Sequence, residues 1–145
     1  MAVGNSGVTV LGHSLGSALG TYLTAELAGR FANIPLSACL FASPKPGDGD
    51  FAKDFDGKVR NYIVYNYEED LVPDAPPIGF SALSNCVILR QQETSPSIGD
   101  DKACCHHLIS YIALLSADEF KRVIALQGTT HDDCKCAACV TLKPA

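Results

Sequence analysis

The chain predicts an α/β fold: a mostly parallel sheet of three to four strands with flanking helices. Three observations carry that expectation. Short β-branched apolar runs alternate with longer segments of helical periodicity, and glycine and proline breakers separate them. A chain of 145 residues, 47% of them hydrophobic, can also bury one core without relying on disulfides or metals. Strands alternating with helices imply βαβ units, whose crossovers make neighbouring strands parallel.

The first run, Gly7-Val8-Thr9-Val10-Leu11-Gly12, reads as a buried strand bounded by glycines. Leu15, Ala18, Leu19, Tyr22, Leu23 and Leu27 then recur at helical spacing, and the helix ends near Arg30 ahead of Pro35. Ser37 to Ala42 is a second strand, closed by Pro44-Lys45-Pro46-Gly47, after which Asp50 is the expected cap of a short helix carrying Phe51 and Phe55. Val59 to Tyr65 predicts a third strand, Asn66 to Phe80 a proline-studded loop, and Asn85 to Arg90 a fourth strand. Ala103 to Leu115 predicts one buried helix, and Ser116-Ala117-Asp118-Glu119 a capping box that opens another through Leu126. Residues 1–126 therefore form the folded domain, and 127–145 are expected to be a Cys-rich tail.

Eleven Lys+Arg against sixteen Asp+Glu give a net charge of −5, with no basic cluster. That argues against nucleic-acid binding and against anionic membrane surfaces, and leaves small-molecule or lipid chemistry. The longest apolar stretches are too short for a transmembrane segment. Met1 to Val10 shows neither a basic n-region nor a cleavage site, so a cytoplasmic location is the default, with secretion open if residues precede Met1.

Gly12-His13-Ser14-Leu15-Gly16 fits G-x-S-x-G, with a strand entering and a helix leaving. Such a turn exposes the Ser14 hydroxyl, and the Leu15 backbone N–H at the helix N-terminus points where an oxyanion would form. A serine hydroxyl needs a positioned base, and the base needs an acid to orient it. Asp70, just past the third strand, stands where the acid belongs, with Glu68, Glu69 and Asp74 as rivals. His106 and His107 at the start of a helix are better placed as base than His13, inside the turn, or His131, in the tail.

These residues together resemble the fungal-type class 3 lipases, a branch of the α/β-hydrolases. Gly12 to Leu19 is similar to that family's elbow; Phe41-Ala42-Ser43-Pro44-Lys45-Pro46-Gly47-Asp48 looks like its F-G-S-P-R-V-G-N stretch. Asp70-Leu71-Val72-Pro73 with Pro76-Pro77 resembles D-x-V-P-x-x-P-P, and His106 with Leu108 and Tyr111 resembles H-x-L-x-x-Y. The resemblance implies Ser14 as nucleophile, Asp70 as acid and His106 as base, with His107 as the alternative. It also implies hydrolysis of carboxylic esters of lipids through an acyl-enzyme, without metal or organic cofactor. Acylglycerols are the leading substrate class. A phospholipase A-type acyl hydrolase, or an inactive remnant serving as an interaction module, is the alternative. The family places Asn three residues before the acid, where this chain has Tyr67, with Asn66 one earlier. Only eleven residues precede Gly12, so the chain is expected to be the carboxyl-terminal half of such an enzyme, lacking earlier strands, a lid and the second oxyanion donor. The elbow strand would then lie at a sheet edge, a candidate surface for self-association.

Seven cysteines leave at least one unpaired within the chain. Cys134, Cys136 and Cys139, with His131, have the spacing of a weak metal or redox cluster, whereas Cys104 and Cys105 read as small core residues.

Overall fold

A computed structural model describes residues 7–93, 95–126 and 139–142. The strands are β1 (Val8–His13), β2 (Leu36–Phe41), β3 (Tyr62–Tyr67), β4 (Cys86–Leu89), β5 (Ser97–Ile98) and β6 (Val140–Thr141). The helices are α1 (Leu15–Arg30), α2 (Gly49–Lys58), α3 (Lys102–His106), α4 (Leu108–Leu115) and α5 (Ala117–Leu126), with a 3-10 turn at Val72–Asp74. The main sheet has the order β1-β2-β3-β4. β1 and β2 pair in parallel from Val8 opposite Leu36 to His13 opposite Phe41, and β2 and β3 pair in parallel from Ala38 opposite Tyr62. Along β4 the bonds Val64 N–H to Asn85 O and Glu68 N–H to Leu89 O advance in the same direction on both strands, so it too runs parallel. This is the predicted α/β architecture, with β1 at the edge. No helix among the described residues is long and apolar enough to cross a membrane.

The chain divides into two compact units, residues 1–66 with 72–87, and residues 67–71 with 88–145. In the first, Val10, Leu40, Phe55, Val64 and Leu83 form the core, and the Phe55 ring meets Tyr62 edge-on at 5.1 Å. α1 buries Ser17, Ala18, Gly20, Thr21 and Thr24, whereas Leu15, Leu19, Tyr22 and Leu23 of the predicted apolar stripe are exposed. Close approach explains the choice. A Cβ on Gly20 would stand 3.2 Å from both Leu40 and Val10, so only small side chains fit between this helix and the sheet. The buried hydroxyls of Thr21 and Thr24 donate to the carbonyls of Ser17 and Gly20 one turn back, so burial leaves them satisfied.

Three boundaries differ from the sequence reading. Asp48, not Asp50, caps α2, its carboxylate accepting from Phe51 N–H at 2.9 Å; Asp50 lies in the first turn. Val59 ends that helix by donating to Phe55 O, so β3 starts later, at Tyr62. The single helix expected over Ala103 to Leu115 is two helices, parted at His107, whose backbone is extended (φ −65°, ψ 137°). Asp101 caps the first by accepting from Ala103 N–H, and the Ser110 hydroxyl takes the Cys104 carbonyl at 2.6 Å, satisfying the break.

The second unit packs Tyr111, Ile109, Ala113 and Phe120 from α4 and α5. β5 pairs antiparallel with β6, and Cys104 is disulfide-bonded to Cys139. Cys104 is therefore a cross-link, not the simple core residue expected from its apolar surroundings. Cys134, Cys136 and His131 lie outside the described residues. The opening of the capping box forms as read, Ser116 Oγ accepting from Glu119 N–H.

Candidate active site

β1 ends at His13, Ser14 turns the chain, and α1 begins at Leu15. Ser14 has φ 60° and ψ −133°, a conformation costly for a residue with a Cβ. Its N–H donates to Phe41 O at 3.0 Å and its carbonyl accepts from Ser17 N–H at 2.8 Å, which holds the strained turn in place. A Cβ on Gly12 would meet Gly16 O at 2.6 Å and the Ser17 Cα at 2.8 Å, both backbone, whereas a Cβ on Gly16 would meet nothing within 4 Å. The tight position of the motif is therefore Gly12. As the first helical residue, Leu15 has an N–H among those with no intrahelical acceptor, which suits it to receive a developing negative charge.

Ser17 fastens this turn to the next strand. Its hydroxyl donates to Phe41 O at 2.7 Å and accepts from Phe41 N–H at 3.1 Å, and the side chain is fully buried. Beyond Phe41, Ala42 is also left-handed (φ 49°), and Ser43 N–H donates to Asn66 Oδ1 at 3.0 Å. Asn66 thus braces the loop after β2.

In the second unit, Asp70 follows β3 with its side chain only 1% exposed. A carboxylate taken this far from water must be paired and hydrogen-bonded. Its Oδ2 accepts from His106 Nδ1 at 2.8 Å and from the Tyr111 hydroxyl at 2.7 Å. Tyr111, fully buried, in turn accepts from Tyr67 N–H at 3.0 Å. With Asp70 as a carboxylate the shared hydrogen sits on Nδ1, so the neutral imidazole presents Nε2 as a base. His106 remains partly exposed, at 25% of its side chain.

The competing acids have other occupations. Glu68 pairs with Arg90 at 3.0 Å and Glu69 lies 4.0 Å from Lys102, all well exposed. At Asp74 it is the backbone carbonyl that receives Lys45 Nζ. His107 sits at the junction of α3 and α4, where its N–H closes the first helix on Ala103 O. The structure thus brings His106 to Asp70, through Nδ1. Ser17, Tyr67 and Tyr111 were not assigned roles from sequence, although Tyr111 was already visible in the H-x-L-x-x-Y spacing. Burial pushes the thiols of Cys39, Cys86 and Cys105 up, keeping them protonated and unsuited as nucleophiles.

A parallel sheet carrying a strained serine between strand and helix, with a buried acid–imidazole pair on later segments, defines an α/β-hydrolase. Solved structures agree on the fold. M37 lipase matches with a TM-score of 0.63 at 18% identity, covering 76% of this chain and 45% of that one. The native propeptide complex of Rhizomucor miehei lipase matches at 0.55 and 28%, covering 57% and 28%. The family model for lipase (class 3) matches residues 2–80, and the chain belongs to that family. Among curated relatives, phospholipase A1-IIgamma of Arabidopsis thaliana is 36% identical over 89 residues, 54% of this chain and 21% of its own length. Phospholipase A1-II 3 of Oryza sativa subsp. indica is 29% identical over 119 residues, 74% of this chain and 28% of its own. The chain spans about a fifth to three-tenths of the length of these relatives.

Proposed function

We propose that the chain carries the nucleophile, base and acid of a serine esterase that cleaves acyl esters of lipids. The observation that carries this reading is the buried Asp70 carboxylate, held by Tyr111 and bonded to His106 Nδ1. A structural histidine has no need of so enclosed an acid, whereas a base that must become an imidazolium does. In the proposed reaction Ser14 Oγ attacks the ester carbonyl carbon as its proton passes to His106 Nε2. The Leu15 N–H receives the oxyanion, and Asp70 stabilises the imidazolium. Collapse of the tetrahedral species breaks the ester bond, and the leaving alcohol takes the proton from Nε2. Water then attacks the acyl-Ser14 ester with His106 again as base, releasing a fatty acid and restoring the serine.

The relatives named phospholipase A1 favour a phospholipid over an acylglycerol as the lipid. A fluorophosphonate probe tests the chemistry: it labels Ser14 in the native chain, and the label disappears in Ser14→Ala and weakens in Asp70→Asn. Fatty-acid release from phospholipid and triacylglycerol micelles then ranks the substrates. A folded chain in which Ser14 stays unlabelled defeats the enzyme reading. It supports instead an inactive module that pairs with a partner through the edge of β1, where Leu11 is 70% exposed.

A further inference from the structure

The second unit contains a cavity of about 480 Å³, distinct from the Asp70–His106 contact and roomy enough for a group much larger than one water. Glu68, Glu69, Asp100, Lys102, Tyr67 and Cys105 contribute to its wall. Three carboxylates face one lining lysine, and Arg90 offsets Glu68 from outside the wall. With Glu69 set against Lys102, Asp100 is left without a cationic partner among the described residues. The cavity therefore retains about one negative charge.

Tyr67 supplies the second observation. The residue is 5% exposed, and among the described residues nothing bonds its hydroxyl. No fully buried side-chain polar atom lacks a partner there, so this hydroxyl keeps access to solvent through the cavity it lines. A hydroxyl oxygen of a largely buried residue, with unused lone pairs and carboxylates in the same cavity wall, can accept from an incoming donor. Burial, then the Cys105 thiol once ionised, and the carboxylates of Glu69, Glu68 and Asp100 push the Tyr67 phenol up to about 12, so the oxygen stays protonated, and the carboxylates make the field at it negative.

The kind of cation follows from spacing. Among the described residues no three His, Cys, Asp or Glu side chains come close enough together to hold a metal ion. Dispersed carboxylates that share a cavity wall with a hydroxyl suit a larger cation that carries its own N–H donors. We propose that this cavity binds an organic primary ammonium group, its N–H donating to the Tyr67 oxygen and its charge facing Asp100 and Glu69. Such a group occurs on free amines and on the ethanolamine head of a phospholipid. Only the second source rests on the hydrolase reading above.

The test is calorimetric titration of the full chain with ethanolamine, choline and 1-propanol, the last a neutral molecule of ethanolamine's shape. Ethanolamine is expected to bind at least about tenfold more tightly than 1-propanol, as a charge-assisted hydrogen bond implies. Tyr67→Phe should weaken ethanolamine several-fold while leaving choline, which has no N–H, unchanged. Asp100→Asn should weaken both. Equal binding of ethanolamine and 1-propanol, or no binding of ethanolamine to a chain whose near-ultraviolet circular dichroism is native, overturns the proposal. Hydrolysis of phosphatidylethanolamine against phosphatidylglycerol in mixed micelles separates the sources. A preference for the former that Asp100→Asn abolishes assigns the cation to the lipid head; a ratio that does not move, with ethanolamine still bound, assigns it to a free amine. If neither lipid is cleaved, the hydrolase reading fails while the titration still decides the cavity.

Discussion

Tyr111→Phe removes one oxygen from a fully buried site and leaves the ring to fill its space, so its cost is almost purely that of hydrogen bonds. Those lost include the 2.7 Å bond given to Asp70 Oδ2 and the 3.0 Å bond accepted from Tyr67 N–H. A bond to a charged group is worth about 1.5–3 kcal/mol, and a stranded buried donor costs about 1–3 kcal/mol. The lower ends sum to about 2.5 kcal/mol, a large share of the roughly 5–15 kcal/mol that holds a domain folded. Urea unfolding followed by circular dichroism should show that loss as a lower midpoint with an unchanged slope. Asp70→Asn supplies the control. In that background the charge-assisted part is already gone, so Tyr111→Phe should cost less by about 1 kcal/mol or more. A loss below about 0.5 kcal/mol, or the same cost in both backgrounds, would refute the claim that Tyr111 acts through the carboxylate.

Gly12→Ala should destabilise the chain by about 1–3 kcal/mol, because the new methyl meets backbone at 2.6 and 2.8 Å, whereas Gly16→Ala, opening into space, should be close to neutral in the same unfolding assay. Cys104→Ser opens the cross-link to Cys139 across a sequence separation of 35 and should cost about 4 kcal/mol by chain entropy; added dithiol reductant should reproduce the shift in the native chain and leave the variant's melting temperature unmoved. The raised Tyr67 phenol makes stability depend on alkaline pH. Below about pH 10 the residue is protonated in both states and its contribution is intact, and between about pH 10 and 12 the unfolded chain ionises first and stability falls. Tyr67→Phe should therefore lose less melting temperature than the native chain between pH 9 and 12. Tyr62, raised by burial and by its bond to Asp56, and the raised thiols of Cys39, Cys86 and Cys105 remain in both proteins and contribute to the residual decline.

The strands were legible because their cause is local: β-branched runs between breakers read as Val8–His13, Leu36–Phe41 and Tyr62–Tyr67 with shifts of one to three residues. The face of α1 was not. Leucine spacing pointed the apolar stripe inward, but Gly20 lies 3.2 Å in Cβ terms from Leu40 and Val10, and at that distance the sheet admits Ser, Thr, Ala and Gly instead. Periodicity records where bulk recurs; it does not record how near the neighbouring layer comes. The break at His107 was hidden for a related reason. Apolar residues run through it, and the groups that stabilise it, Asp101 and Ser110, act through side-chain bonds to backbone that no hydrophobic pattern registers.

The acid–imidazole pair was legible by order and motif, yet what fixes it belongs to residues that carry no catalytic signature. Asp70 can stay enclosed because donors converge on it, two of them on one oxygen. Those two come from different helices, His106 at the end of α3 and Tyr111 within α4. A continuous helix would place positions five apart well over one turn from each other around the axis, with about 7.5 Å of rise between them. The extended backbone at His107 changes that geometry, so that the last residue of one helix and the fourth of the next reach the same carboxylate oxygen. The local irregularity the sequence reading smoothed over is thus the feature that assembles the pair, and restoring helix there with His107→Ala should loosen Asp70, read as a lower urea midpoint.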